Sequence, residues 1–136
     1  MEEKCCEVCG TTRGLEEHHV IFRKPAPYLV NCKKNKKFLC GNHHRTGKDS
    51  PHQNWEVDLS YKLEFKEFLL QQFNEDRRYT EDEIRKKLGI SKDAARSCCK
   101  KLKWWHGGYT KEDIIFRALG NSNFWEGMKK SEVVEC

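Results

Sequence analysis

Apolar and polar positions along the chain change their rhythm near Ser60. From there Tyr61, Phe65, Phe68, Leu69 and Phe73 fall at i, i+4, i+7, i+8 and i+12, which predicts a helix with one apolar stripe. Residues 1–58 have no such period. His19–Phe22 and Phe38–Leu39 are short apolar runs and predicted strands, separated by Pro25-Ala26-Pro27 and a lysine-rich loop. Two short strands bury no core of their own, so this segment needs something else to hold it together.

Beyond residue 78 the pattern becomes one of short helices and sharp turns. Thr80-Glu81-Asp82-Glu83 has the form of a capping box, Ile84 and Leu88 give one apolar face, and Gly89 ends the helix. Ser91 then caps a second helix through Ala94, Ala95, Cys98 and Leu102. A helix, a Gly89-Ile90-Ser91 turn and a basic second helix have helix-turn-helix spacing, although plain helical bundles use Gly turns as well. Tyr79-Thr80 and Tyr109-Thr110 are each followed by Ile five residues after the Tyr and then by Leu-Gly. This is a faint internal repeat, or a repeated helix start. Trp104 and Trp105 could stack on bases, but two Trp beside a turn more often fill core and hinge; His106 stands alone.

Composition narrows the classes. In 136 residues, 37% are hydrophobic and 35% charged, with a mean hydropathy of −0.91, so a core is thin and a metal staple is favoured. Neither a bilayer-spanning helix nor a secretory leader is expected. The net charge of +5 is clustered. Between Ile21 and Lys48 lie Arg23, Lys24, Lys33, Lys34, Lys36, Lys37, Arg45 and Lys48 with no acidic residue. Between Arg85 and Lys103 lie Arg85, Lys86, Lys87, Lys92, Arg96, Lys100, Lys101 and Lys103 against Asp93 alone. Such stretches attract polyanions, nucleic acid above all, unless they are merely solvated lysine faces.

The cysteines and histidines are concentrated at the start. Without a leader, cysteines near histidines indicate metal rather than disulfides. Cys6-x2-Cys9-Gly10 has the form of a zinc knuckle, and Cys40-x2-His43 is its natural partner. Together they make a Cys3His set that would bind a structural Zn2+, with Cys5 and Cys32 as alternative ligands. His18, His19, His44 and His52 are then surplus. His18 and His19 are adjacent on a predicted strand and should face opposite ways, which suggests two different tasks.

Cys6-x2-Cys9, His18-His19-Val20 and Asn35-x4-Cys40-x2-His43-His44 together resemble the HNH (ββα-metal) nuclease family in its zinc-knuckle form. The likeness covers about residues 5–54 and extends to the small HNH proteins encoded by bacteriophages and prophages. Joined to the pattern of the rest of the chain, it gives an expected α+β fold. The resemblance implies an HNH module with a structural zinc at 1–58, and the residue pattern gives a connecting amphipathic helix at 59–78 and a helix-turn-helix-like helical domain at 79–136. By position, His19 would be the general base and Asn35 the residue that braces the loop orienting it. His18 and His44 would be ligands of a catalytic divalent cation, Mg2+ or Mn2+ first, then Zn2+ or Ni2+. The family's usual last ligand position holds Lys48, which cannot serve, so His52 is the substitute, with Asn54 behind it.

The resemblance implies hydrolysis of DNA to 5′-phosphate and 3′-hydroxyl ends, in the cytoplasm of a bacterial host, with a phage packaging or recombination protein as a candidate partner. Arg23, Lys24 and Arg45 would clamp flanking phosphates, and Lys92, Arg96, Lys100 and Lys103 would meet DNA along the second helix. A rival reading is a non-catalytic regulator built from a zinc finger and a helix-turn-helix, for which the surplus histidines have no use. An RNA nuclease or toxin is a third.

Overall fold

The computed structural model describes residues 4–120. The remainder of the predicted third segment, 121–136, lies outside the described residues. Strands β1 (Leu15–His19) and β2 (Lys36–Cys40) form a two-stranded antiparallel sheet in which His18 lies opposite Lys37 and Leu15 opposite Cys40. A single π-helical turn, Asn42–Thr46, follows β2 directly. Among the described residues four α-helices come next: α1 (Trp55–Gln72), α2 (Glu81–Leu88), α3 (Lys92–Cys99) and α4 (Lys111–Ala118).

The first strand lies earlier than the apolar run His19–Phe22 predicts. Its registered residues are mostly polar, because the sheet serves histidines and ion pairs rather than an apolar core. Val20 and Ile21 have left the strand and are buried in the core beyond its end. Their new path is held by Asn35. Its Oδ1 accepts from the Ile21 amide at 2.7 Å, and its Nδ2 donates to the carbonyls of Ile21 (3.2 Å) and Leu29 (3.3 Å). A fully buried amide side chain thus satisfies the backbone of an irregular loop that would otherwise lack partners.

The three segments of the sequence pattern share one continuous hydrophobic cluster. Tyr28, Leu29 and Cys32 from the inter-strand loop meet Phe65, Leu69 and Phe73 of α1, and Ile84, Leu88, Cys98, Ile114 and Leu119 from the last three helices. Full burial of each Phe or Leu contributes about 1.5–3 kcal/mol. Polar bonds cross the same boundary: the Tyr28 hydroxyl donates to the Arg117 carbonyl at 2.6 Å, and the Arg117 guanidinium lies 4.8 Å from the Tyr28 ring centre. Lys37, only 8% exposed, links Glu7 near the chain start (3.3 Å) to Glu64 on α1 (2.7 Å). That lysine serves the interior and leaves the basic surface.

Local caps set the helix starts. Asn54 accepts from the Glu56 amide at 3.0 Å, and the Thr80–Glu83 capping box is complete in both directions. Gly89 takes the left-handed conformation (φ 66°) that ends α2. Ser91 caps α3, which ends at Cys99 rather than continuing through Leu102. The faint repeat has a structural counterpart: Tyr79 and Tyr109 pair with each other in an antiparallel bridge, and Thr80 and Thr110 each cap the helix that follows.

Candidate metal centres

The first centre is made by Cys6, Cys9, Cys40 and His43, whose ligand atoms all lie within 4.8 Å of one another. Cys6 and Cys9 come from the turn at the chain start, Cys40 from the end of β2, and His43 from the π-helical turn. The separations are 3.9 Å for Cys9 Sγ to Cys40 Sγ, 3.3 Å for Cys40 Sγ to His43 Nδ1, and 3.7 Å for Cys6 Sγ to His43 Nδ1. Tetrahedral zinc, with Zn–S about 2.3 Å and Zn–N about 2.0–2.1 Å, sets such edges at roughly 3.5–3.8 Å. The cluster could therefore hold a metal ion such as zinc.

The electrostatics agree with this geometry. Burial works to raise the Cys6 thiol, but the backbone amides of Cys40, Cys9 and Val8 outweigh it and bring its pKa down to about 6. Cys9 is displaced the other way: the Thr11 amide lowers it, while desolvation and the Cys6 and Cys40 thiols raise it further. Sulfurs that oppose each other's ionisation are what a shared cation relieves. The alternative ligands are elsewhere: Cys5 is exposed, and Cys32 is fully buried in the hydrophobic cluster, where desolvation raises its thiol pKa.

The second group is His18, His44 and His52, again with ligand atoms within 4.8 Å. His18 is 1% exposed, and its Nε2 has no partner among the described residues. The Nε2 atoms of His44 and His52 face each other at 3.1 Å, close to the roughly 3.3 Å edge of imidazoles sharing one ion at about 2.0–2.1 Å. His44 Nδ1 lies 2.6 Å from Glu16 Oε1, so the carboxylate holds the tautomer that turns a bare Nε2 toward His52. His52 stacks on Phe22 with an interplanar angle of 8°. Burial pushes the His18 pKa down to about 3, helped by His44 and His52; desolvation and then His44 lower His52 as well. His18 and His52 thus resist protonation, and the ring nitrogens of all three residues lie close enough to share one ion.

His52 reaches the group because the chain does not run straight from β2 into a long helix. The π-helical turn stops at Gly47, whose amide donates to the Asn42 carbonyl (2.8 Å), and turns at residues 47–53 carry His52 back over His44. The Gln53 side chain donates to the Arg45 carbonyl at 2.9 Å and fixes this return. Asn54, by contrast, is occupied as the cap of α1, and Lys48 is exposed outside the group.

His19 is half-buried at the end of β1 and belongs to neither group. Its ring bonds to the Val30 backbone, while its Nε2 is buried without a partner among the described residues. Desolvation lowers its pKa, against the Val30 carbonyl, which raises it. His18 and His19 have different surroundings, as their strand positions predict, yet both line one cleft of about 410 Å³. Glu17, Phe22, Arg23, Lys24, His44, Arg45 and His52 complete its lining. Asn35 does not line this cleft; through its bonds to Ile21 and Leu29 it braces the loop that carries Val30. Lys92, Arg96, Lys100 and Lys103 are all exposed on and just after α3, away from these ligands.

Glu16, Gln53 and Phe22 did not stand out in the sequence. Glu16 is one of 21 acidic residues, and only the strand register that places it beside His18 reveals its role. No protein-family model matches the chain, and no curated protein or solved structure matches it either.

Proposed function

We propose that the chain is a metal-dependent DNA endonuclease of the HNH type, working in the cleft between β1 and the π-helical turn. One observation carries this reading. His19, whose Nε2 is buried and unpartnered among the described residues, lines the same cleft as a three-imidazole group, and Arg23, Lys24 and Arg45 stand on its walls.

Each residue has a task in phosphodiester hydrolysis. The Val30 carbonyl fixes one face of the His19 ring, leaving Nε2 to take a proton from water. The water oxygen forms the new bond to phosphorus, the bond to the 3′ oxygen breaks, and that oxygen leaves with the electron pair and is protonated by solvent. A divalent cation on His18, His44 and His52 would supply Lewis acidity toward the phosphate and the leaving oxygen. Arg23, Lys24 and Arg45 bind flanking phosphates. Asn35 keeps the loop behind His19 in place, and Glu16 keeps His44 in one tautomer.

DNA is the favoured substrate because α2, Gly89 and α3 have helix-turn-helix order, with Lys92, Arg96, Lys100 and Lys103 exposed along the second helix and the segment after it. The regulator reading leaves His18, His19, His44 and His52 without a purpose. The test is supercoiled plasmid incubated with Mg2+, Mn2+ or no added cation, wild type beside His19→Ala. Wild type should nick or cut, and His19→Ala should lose about 10²-fold or more in rate while still binding metal and DNA. If His19→Ala cuts as fast as wild type, His19 is not the base. If wild type binds DNA without cutting under any metal, the regulator reading replaces this one.

A further inference from the structure

Two tryptophans follow α3, and the structure leaves both on the surface. Trp104 is 58% exposed and Trp105 46% exposed, so neither fills a core or hinge. They sit at the base of a tight hairpin. Trp105 and Gly108 exchange backbone hydrogen bonds, and φ is positive at both intervening residues, His106 (47°) and Gly107 (88°). That is the signature of a type I′ turn, in which histidine is an uncommon and strained occupant.

The hairpin is firmly mounted. Tyr109 exchanges bonds of 2.8 and 2.9 Å with Tyr79, and a Cβ at Gly108 would stand 2.7 Å from the Tyr79 carbonyl oxygen. Trp104 packs against Tyr109 at 5.4 Å, Trp105 lies 4.5 Å from His106, and the Lys103 ammonium sits 4.9 Å from the Trp105 ring centre. Besides Lys103, Arg96, Lys100 and Lys101 are exposed in the stretch of chain that leads into them, and no acidic residue occurs from Ala94 through Lys111. Glu81, at the start of α2, is the acidic group that approaches from the Tyr109 side.

We propose that this hairpin is a binding platform for unpaired bases, and so takes single-stranded nucleic acid. Exposed indoles on a rigid turn offer stacking surfaces, and the surrounding cations meet the phosphates between successive bases. A duplex keeps its base faces covered by its own stacking, so the indoles discriminate for an opened strand. The platform stands apart from the histidine cleft and needs no catalytic activity there.

The test is fluorescence anisotropy of full-length zinc-loaded protein, without added divalent cation, on labelled oligothymidylate and on a duplex of equal length. Trp104→Ala and Trp105→Ala should each weaken oligothymidylate binding about tenfold or more, while duplex affinity stays within about twofold. Trp105→Phe should keep much of the affinity, and thermal melting should show all variants folded. Equal losses on both ligands would overturn the proposal and make the hairpin a duplex contact. Unchanged binding to oligothymidylate in the Trp→Ala variants would overturn it and leave the indoles to a protein partner. Plasmid cleavage by the same variants reports on the endonuclease reading separately.

Discussion

Glu16 on β1 and His44 in the π-helical turn are joined at 2.6 Å, carboxylate to imidazole Nδ1, although 28 residues separate them in sequence. Glu16 precedes His18 by two positions on β1, and Arg45 approaches the same carboxylate at 3.8 Å. One strand therefore supplies both a member of the histidine group and the carboxylate that orients another. Loss of such an orienting partner typically costs about 10–100-fold in metal affinity. Glu16→Ala should lower affinity at this group by that order in a Co2+ or Mn2+ titration, and Glu16→Gln by less, because the amide oxygen still accepts. Equal affinity in wild type and Glu16→Ala would deny Glu16 this task.

The four-ligand cluster makes a sharper demand on the chain start. Apart from Cys6 and Leu39, the zinc knuckle and sheet bury little hydrophobic surface, and neither residue joins the large cluster from Val20 to Leu119. Zinc should therefore be found at about one ion per chain, and chelation should release the knuckle and fray the sheet while the helical core persists. Hydrogen exchange should show lost protection in residues 6–19 and 36–43 with α1–α4 still protected. Cys40→Ser should reproduce that pattern. A zinc-free chain with an intact knuckle would remove the metal from this account.

Asn35 is the buried hinge between fold and cleft. Asn35→Ala removes three hydrogen bonds and leaves the Ile21 amide without an acceptor, a loss of about 2–3 kcal/mol. Urea denaturation should show a lower midpoint of that size with an unchanged slope. Asn35→Asp keeps an acceptor for Ile21 but adds an unpaired buried charge, so it should be at least as destabilising.

Much of the site could be read from spacing, and much of the fold could not. Cys6, Cys9, Cys40 and His43 are a local code in which two-residue gaps leave few geometries. The apolar stripe Phe65, Leu69, Phe73 and the caps at Thr80 and Ser91 are equally local. The strand limits were missed because β1 carries Glu16, Glu17 and two histidines, and apolarity does not reveal a strand built around polar chemistry. The sharing of one core by all three segments depends on long-range contacts such as Tyr28 with Arg117, to which no short pattern points. The tryptophans were misjudged for a related reason. Large aromatics beside a turn usually fill a core, and here Tyr79 and Tyr109 already occupy that ground.

His52 and Asn54 are two residues apart and have different duties, so a pair of substitutions can separate them. His52 Nε2 faces His44 Nε2 at 3.1 Å, whereas the Asn54 side chain accepts from the Glu56 amide at the start of α1. His52→Ala should therefore behave like His44→Ala: weakened binding of the second cation, partial recovery at high Mn2+ by mass action, and a nearly unchanged melting temperature. Asn54→Ala removes a helix cap and should cost about 1 kcal/mol of stability while leaving metal affinity close to wild type. Calorimetric metal titrations and thermal melts on the two variants give four readings. If Asn54→Ala loses the cation and His52→Ala keeps it, the third ligand is Asn54, and the turns at 47–53 must rearrange when metal binds.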